Sequence, residues 1–146
     1  MVQPITYAPK LITLHASGGE TTTAGTNGTA VQIAGVSRMI ALLEALISAT
    51  EAGDTLDVYV DISLDNSTWL NAIHFTQQAG NGAAFKEFAV LDPSAPGVAV
   101  VNVTADAAAA AVRPSLFGMY IRARWVVVDT GGAAPSHTFS VVALVM

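Results

Sequence analysis

The feature that most restricts what this chain can fold into is the alternation over residues 55–64. Leu56, Val58, Val60, Ile62 and Leu64 are aliphatic, and Asp57, Tyr59, Asp61 and Ser63 stand between them. A period of two puts the first set on one face of an extended strand and the second on the other, as a half-buried β-strand requires. Wound into a helix, the same aliphatics would be scattered around the circumference. Asp65, Asn66, Ser67 and Thr68 follow, with short side chains that bond back to their own backbone in turns, and Trp69 opens the next apolar run. The stretch reads as the central strand and turn of a β-sandwich.

A second clean alternation covers residues 117–129. Met119, Ile121, Ala123, Trp125 and Val127 fall inward, and Tyr120, Arg122, Arg124, Val126 and Val128 outward. Residues 130–136 (TGGAAPS) read as a hairpin loop into a last strand over 137–146. Near the start, a first strand at 10–15 follows an extended arm holding Pro4 and Pro9, residues that cannot donate to a ladder. Residues 17–29 are rich in Gly and Thr and read as a mobile loop or hairpin tip. A short strand over 30–36 comes next.

Residues 37–50 fit two periods. Propensity favours a helix. The strand-like flanks favour a strand with Met39, Ala41, Leu43, Ala45, Ile47 and Ala49 on one face. Strand is the reading adopted, with residues 51–54 as a hairpin connection to Thr55. Further strands are expected at 69–76, 83–91 and 98–104. Residues 107–111 suggest one or two helical turns, ending before Arg113-Pro114 and packing as a crossover between sheets. The expected fold is all-β: an antiparallel β-sandwich or jelly roll with one short Ala-rich helical turn. The N-terminal arm and first strand occupy residues 1–16, and residues 17–146 form a single β-sandwich domain.

Composition narrows function mainly by exclusion. Cysteine is absent, which removes disulfides and thiolate metal sites. The start lacks a basic segment followed by an apolar one, so no signal peptide is expected. The longest apolar run, over 39–47, is broken by Glu44 and too short to span a bilayer. Net charge is −5, which argues against direct nucleic-acid binding. Only 12% of residues are charged and 52% are hydrophobic, against about 25% charged in an ordinary soluble domain. Such a surface suits a chain partly covered by other subunits.

No catalytic constellation emerges. Asp57, Asp61 and Asp65 share a strand face, but residues four apart in a strand lie about 13 Å from one another. Glycosidase carboxylates need roughly 5 to 9.5 Å, so a solvated acidic face is expected. The turn at 65–68 lacks the ligand spacing and downstream Glu of a calcium loop. His15, His74 and His137 are scattered and read as surface or edge residues, and no zinc, GxSxG, P-loop or dinucleotide pattern is present. No catalytic, cofactor or metal site is expected. The outward stripe of Tyr120, Arg122 and Arg124 is either an interface or a cross-strand partner of Asp57 and Asp61.

With these residues in place, a resemblance becomes visible. TLDVYVDISLD with its turn and Trp69, then YIRARWVVVD, a Gly-rich loop and HTFSVVALVM, resemble small β-sandwich structural proteins of tailed bacteriophages, in particular capsid decoration (cement) proteins. The matching stretches are 55–69 and 119–146. The resemblance implies a non-enzymatic protein, made in the host cytoplasm, that binds the outer surface of the phage head. Its partners would be the major capsid protein and itself, as a homodimer or homotrimer at local symmetry axes, with no nucleic acid or membrane. The candidate interface residues are Val2, Pro4, Tyr7, Pro9, Tyr120, Arg122 and Arg124, with the 17–29 loop. The alternatives are a neck, tail, baseplate or fibre module with a binding role, carbohydrate included, and an enzyme on a jelly-roll scaffold.

Overall fold

The aliphatic alternations decide which side of each strand faces inward, and long-range pairing gathers the strands into two sheets. In the computed structural model, which describes residues 8–94 and 102–146, there are eleven strands. They are β1 (Lys10–Glu20), β2 (Gly25–Asn27), β3 (Val31–Gln32), β4 (Met39–Ala45), β5 (Thr55–Ser63), β6 (Trp69–His74), β7 (Gln78–Ala79), β8 (Phe85–Leu91), β9 (Ala111–Val112), β10 (Tyr120–Val128) and β11 (His137–Val145). One sheet has the order β1-β11-β4-β8. The other runs β2-β10-β5-β6-β9, with β3 also on β10 and β7 on β5. Every pairing is antiparallel.

The pairing scheme is that of one long hairpin rolled up. β1 meets β11, β2 and β3 meet β10, β4 meets β8, and β5 meets β6. Each successive pair then lands in the opposite sheet, which is the jelly-roll connectivity. β5, the strand of the clearest alternation, lies in the middle of the larger sheet.

The core lies between the sheets. β4 contributes Met39, Ala41, Leu43 and Ala45, and β11 contributes Phe139, Val141, Ala143 and Val145. Facing them are Leu56, Val58, Val60 and Ile62 of β5, with Ile121, Ala123, Trp125 and Val127 of β10. The alanines leave room for the large rings. Trp125 and Phe139 meet edge-on at 5.7 Å, and His15 is wedged against both, at 4.4 and 4.3 Å.

Several expectations need correction. The 37–50 segment is a strand, but it ends at Ala45, so Ile47 leaves the inward row and is 71% exposed. Met119 and Leu64 are exposed for the same reason, lying just outside β10 and β5. Residues 51–54 and 130–136 are crossovers rather than hairpins, because β4 and β5, and likewise β10 and β11, belong to opposite sheets. The 17–29 stretch is not simply a loop. β1 continues through its glycines to Glu20 by two register shifts against β11, and Gly25–Asn27 pairs with β10. Both shifts precede the glycines, at Leu14 and at Ala16–Ser17, and Gly18 and Gly19 then pair in regular register with Phe139 and Thr138.

The Ala-rich helical turn is absent, and no helix occurs among the described residues. A run this short gains too little to nucleate a helix. Ala110 instead takes φ 59°, and Ala111–Val112 joins β6 as β9. The expected strand over 98–104 lies in part outside the described residues. Residues 102–104 are not strand, and the Asn102 side chain there accepts from the Thr104 amide at 2.9 Å.

Candidate interaction surfaces

The outward face of the larger sheet is built by register. Arg122 of β10 stands opposite Asp61 of β5, and Arg124 opposite Tyr59. On the other side of β5, Asp61 faces Asn71 and Tyr59 faces His74. Arg124 Nε donates to Asp61 Oδ2 at 2.9 Å and its Nη2 to Asp106 at 2.7 Å, while Arg122 Nη2 reaches Asp61 Oδ2 at 3.5 Å. Each guanidinium also covers an aromatic ring, Arg122 on Trp69 at 4.2 Å and Arg124 on Tyr59 at 3.9 Å. Such stacking adds a cation–π attraction to the ion pairs.

This face is roofed by a strap, residues 102–110, fastened by polar contacts. Asn71 Oδ1 accepts from the Ala107 amide at 2.9 Å, and Arg113 donates to the carbonyls of Asn71 and Ala105 at 2.6 and 2.7 Å. His74 is clamped between the Ala107 carbonyl at Nδ1 and Asp57 Oδ1 at Nε2, both 2.8 Å away, and stacks on Tyr59 at 4.2 Å. Both ring nitrogens are engaged, so the Asp57–His74 pair fastens the strap.

Burial beneath the strap opposes the Arg124 charge, but the hydrogen bond and charge of Asp61, then those of Asp106, outweigh it and hold the guanidinium above its ordinary value. Burial, aided by the Asp57 and Asp106 carboxylates, pushes the Tyr59 phenol up.

The acidic face expected to be solvated is therefore not so. Asp61 is buried in the ion pairs and Asp57 is half-buried; Asp65 is exposed in its turn, accepting from the Ser67 and Thr68 amides. Of the histidines, His15 lies on the edge strand β1, half-buried against Trp125 and Phe139, but the other two are not surface residues. His74 is buried beneath the strap, and His137 is fully buried with Nδ1 3.0 Å from Gln78 Oε1. Among the described residues, no three His, Asp or Glu side chains gather where a metal ion could be held.

Of the interface candidates, Val2, Pro4 and Tyr7 lie outside the described residues, and Pro9 is exposed just before β1. Tyr120 is half-buried at the start of β10. Arg122 and Arg124 both pair with Asp61, and neither with Asp57. That is the cross-strand pairing left open above, with one carboxylate serving both arginines.

The surface that residue-by-residue reading passed over is the outer face of the smaller sheet. Leu11, Leu144, Ile40 and Val90 form one row across its four strands, and Thr13, Val142, Leu42 and Phe88 form the next. Phe88 is 72% exposed, Leu11 66% and Leu42 36%. An ion pair closes each end: Glu44 with Lys86 at 2.8 Å, and Arg38 with Asp92 at 3.9 Å. Its signal in the sequence was that Ile40 and Leu42 make the second face of Met39–Ala45 apolar up to Glu44.

No family model matches the chain, and no curated protein matches it. Among solved structures, its fold superposes on that of infectious bursal disease virus proteins. The crystal structure of the infectious bursal disease virus VP2 subviral particle matches with TM-score 0.52 and 12% identity, over 100% of this chain and 36% of that one. The structure of the Gx strain of infectious bursal disease virus matches with TM-score 0.50 and 13% identity, over 100% and 37%. The chain thus spans little more than a third of the length of the proteins it matches. What is shared at this identity is the fold, an antiparallel β-sandwich of jelly-roll connectivity.

Proposed function

We propose that this chain is a structural virion protein, a capsid decoration or cement protein of a tailed bacteriophage. In this reading it sits on the outer surface of the head, bridges major capsid subunits and associates with copies of itself, without catalysis. The observation that carries the reading is that the whole chain takes a sandwich fold also found in a viral capsid protein. The resemblance of residues 55–69 and 119–146 to phage cement proteins supports it. So does an exposed apolar sheet face of the kind monomers rarely carry unused. Adding contacts across capsomer seams would resist the pressure of packaged DNA, because shared interface must be broken before the seam opens.

The test is to mix purified protein with expanded, mature capsids that lack it and sediment the particles. The protein should co-sediment and raise the temperature or chaotrope concentration at which the shell fails. Protein that stays in the supernatant, yet is retained on immobilised oligosaccharide, would replace this reading with that of a tail or fibre binding module. The structure gives that alternative little support, since Trp125 lies in the core and Trp69 lies under Arg122.

A further inference from the structure

The outer face of the four-stranded sheet has a symmetry of its own. Ala41 of β4 is paired with Ala89 on one side and Ala143 on the other, and Ala143 with Ile12. All four point inward, and they mark a line across the sheet. On one side of it lies the row of Leu11, Leu144, Ile40 and Val90, and on the other the row of Thr13, Val142, Leu42 and Phe88. Three residues from the line on β4 stand Arg38 and Glu44, and three residues from it on β8 stand Asp92 and Lys86. The two ion pairs are thus placed evenly about the line, with their signs exchanged.

We infer that this face is an isologous interface with a second copy of the chain, related by a two-fold axis running across the strands along that line. Such an axis lays β4 antiparallel on β4 and β8 on β8. It sets each apolar row on the other, Phe88 against the second copy's Val90 and Leu42 against its Ile40. It also brings Glu44 over the second copy's Arg38 and Lys86 over its Asp92, at both ends of the contact.

The charge match also sets the packing angle. At a crossing of about 30° a residue about 10 Å from the axis would be displaced by about 5 Å, a full strand spacing, so the two faces are expected to stack with their strands more nearly aligned. An axis along the strands through the middle of the sheet would lay β4 on β11 instead and set Glu44 on Ser140, pairing no opposite charges, while one between β4 and β8 would pair them but leave Leu11 and Leu144 uncovered. Charge also favours a second copy through this face in particular. The chain carries −5 overall, so copies repel except through a surface whose own charges cancel, as the two pairs here do. The inference deepens the self-association proposed above and rests on that reading for its place in a shell.

Sedimentation equilibrium of the full chain tests it, with the expected mass twice 15.0 kDa. Reversing one end, Glu44→Lys with Lys86→Glu, keeps the pair within each copy but sets like charges across the axis. Reversing the other end, Arg38→Glu with Asp92→Lys, does the same. Each double variant should dissociate at least tenfold more readily than the parent. An equimolar mixture of the two should recover the dimer, and so should the fourfold variant. Phe88→Ser, at an exposed site the fold does not need, should be monomeric, with a melt that stays cooperative but no longer shifts with protein concentration.

A parent that is monomeric at every concentration overturns the inference. So do double variants that remain dimeric, or a mixture that fails to recover. Protein that is monomeric yet binds capsids sinks this interface alone. A dimer with the expected charge-swap behaviour that binds no capsids sinks the cement reading alone.

Discussion

Asp61 and Arg124 meet across β5 and β10 with Nε 2.9 Å from Oδ2, on the outward side of a sheet, yet the Asp61 side chain is only 4% exposed. One carboxylate holds two guanidinium groups, each placed over an aromatic ring. An acidic residue at an outward strand position has become the hub of a buried network, because the 102–110 strap closes over it. Removing the hub leaves two partly buried cations. Asp61→Ala should therefore lower unfolding stability by about 3 kcal/mol, at the lower end of the cost of breaking a buried pair because both arginines keep some access to water. Urea denaturation with an unchanged slope would read the loss.

The aromatic wedge between the sheets gives a second expectation. Phe139 is fully buried and touches both His15 and Trp125. Phe139→Ala opens a cavity where two sheets meet and should cost about 4 kcal/mol. The loss of near-ultraviolet dichroism from Trp125 should accompany the shift in denaturation midpoint.

The acid response should have two stages. Burial lowers the His137 pKa below its ordinary 6.5, and burial does the same for His15 against a smaller opposing pull from Glu20. His137 Nε2 has no partner to receive a second proton's charge. The unfolded chain then binds protons that the folded chain does not, so this contribution is complete above pH 6.5 and declines as pH falls below it. The second stage belongs to Asp65, whose carboxyl the Thr68 and Ser67 amides hold at about 2 against an ordinary 3.8. Its contribution is present above pH 3.8 and disappears as pH falls towards about 2. Thermal melts across this range should show both declines. His137→Gln should flatten the upper one and Asp65→Asn the lower.

The strap is held by hydrogen bonds rather than by apolar anchors. Ala107→Pro removes the amide that Asn71 accepts, at a cost of about 1 kcal/mol. Hydrogen exchange should quicken at residues 105–110 and at His74 while the core strands keep their protection. Equal acceleration throughout would show that the strap and the sandwich open as one unit.

The sandwich was legible in the sequence because its strands alternate. Residues 55–64 and 117–129 announced their inward faces nearly residue by residue, and Trp125 fell inside as the pattern required. What could not be read was pairing at a distance. Whether residues 51–54 and 130–136 turn back within a sheet or cross to the other depends on partners far away in the chain, and jelly-roll connectivity makes both cross. The strap escaped notice because alanines carry no periodic signal once their run is too short for a helix. The depth of Asp61 follows from that roof. His74 read as a surface or edge residue, because no local pattern foretold that Asp57 and the Ala107 carbonyl would enclose it.

The rolled-up hairpin also governs when the molecule can come into being. Of these strands β11 is the last to be synthesised, yet it lies inside its sheet between β1 and β4. Until it leaves the ribosome, β1 has no neighbour and Met39, Leu43 and Leu56 face an open gap. Ladders that join distant parts of a chain form slowly, so the growing polypeptide must wait, exposed, for its closing strand. A polypeptide cut short before His137 has no smaller folded form in which to take refuge and becomes a substrate for chaperones and proteases.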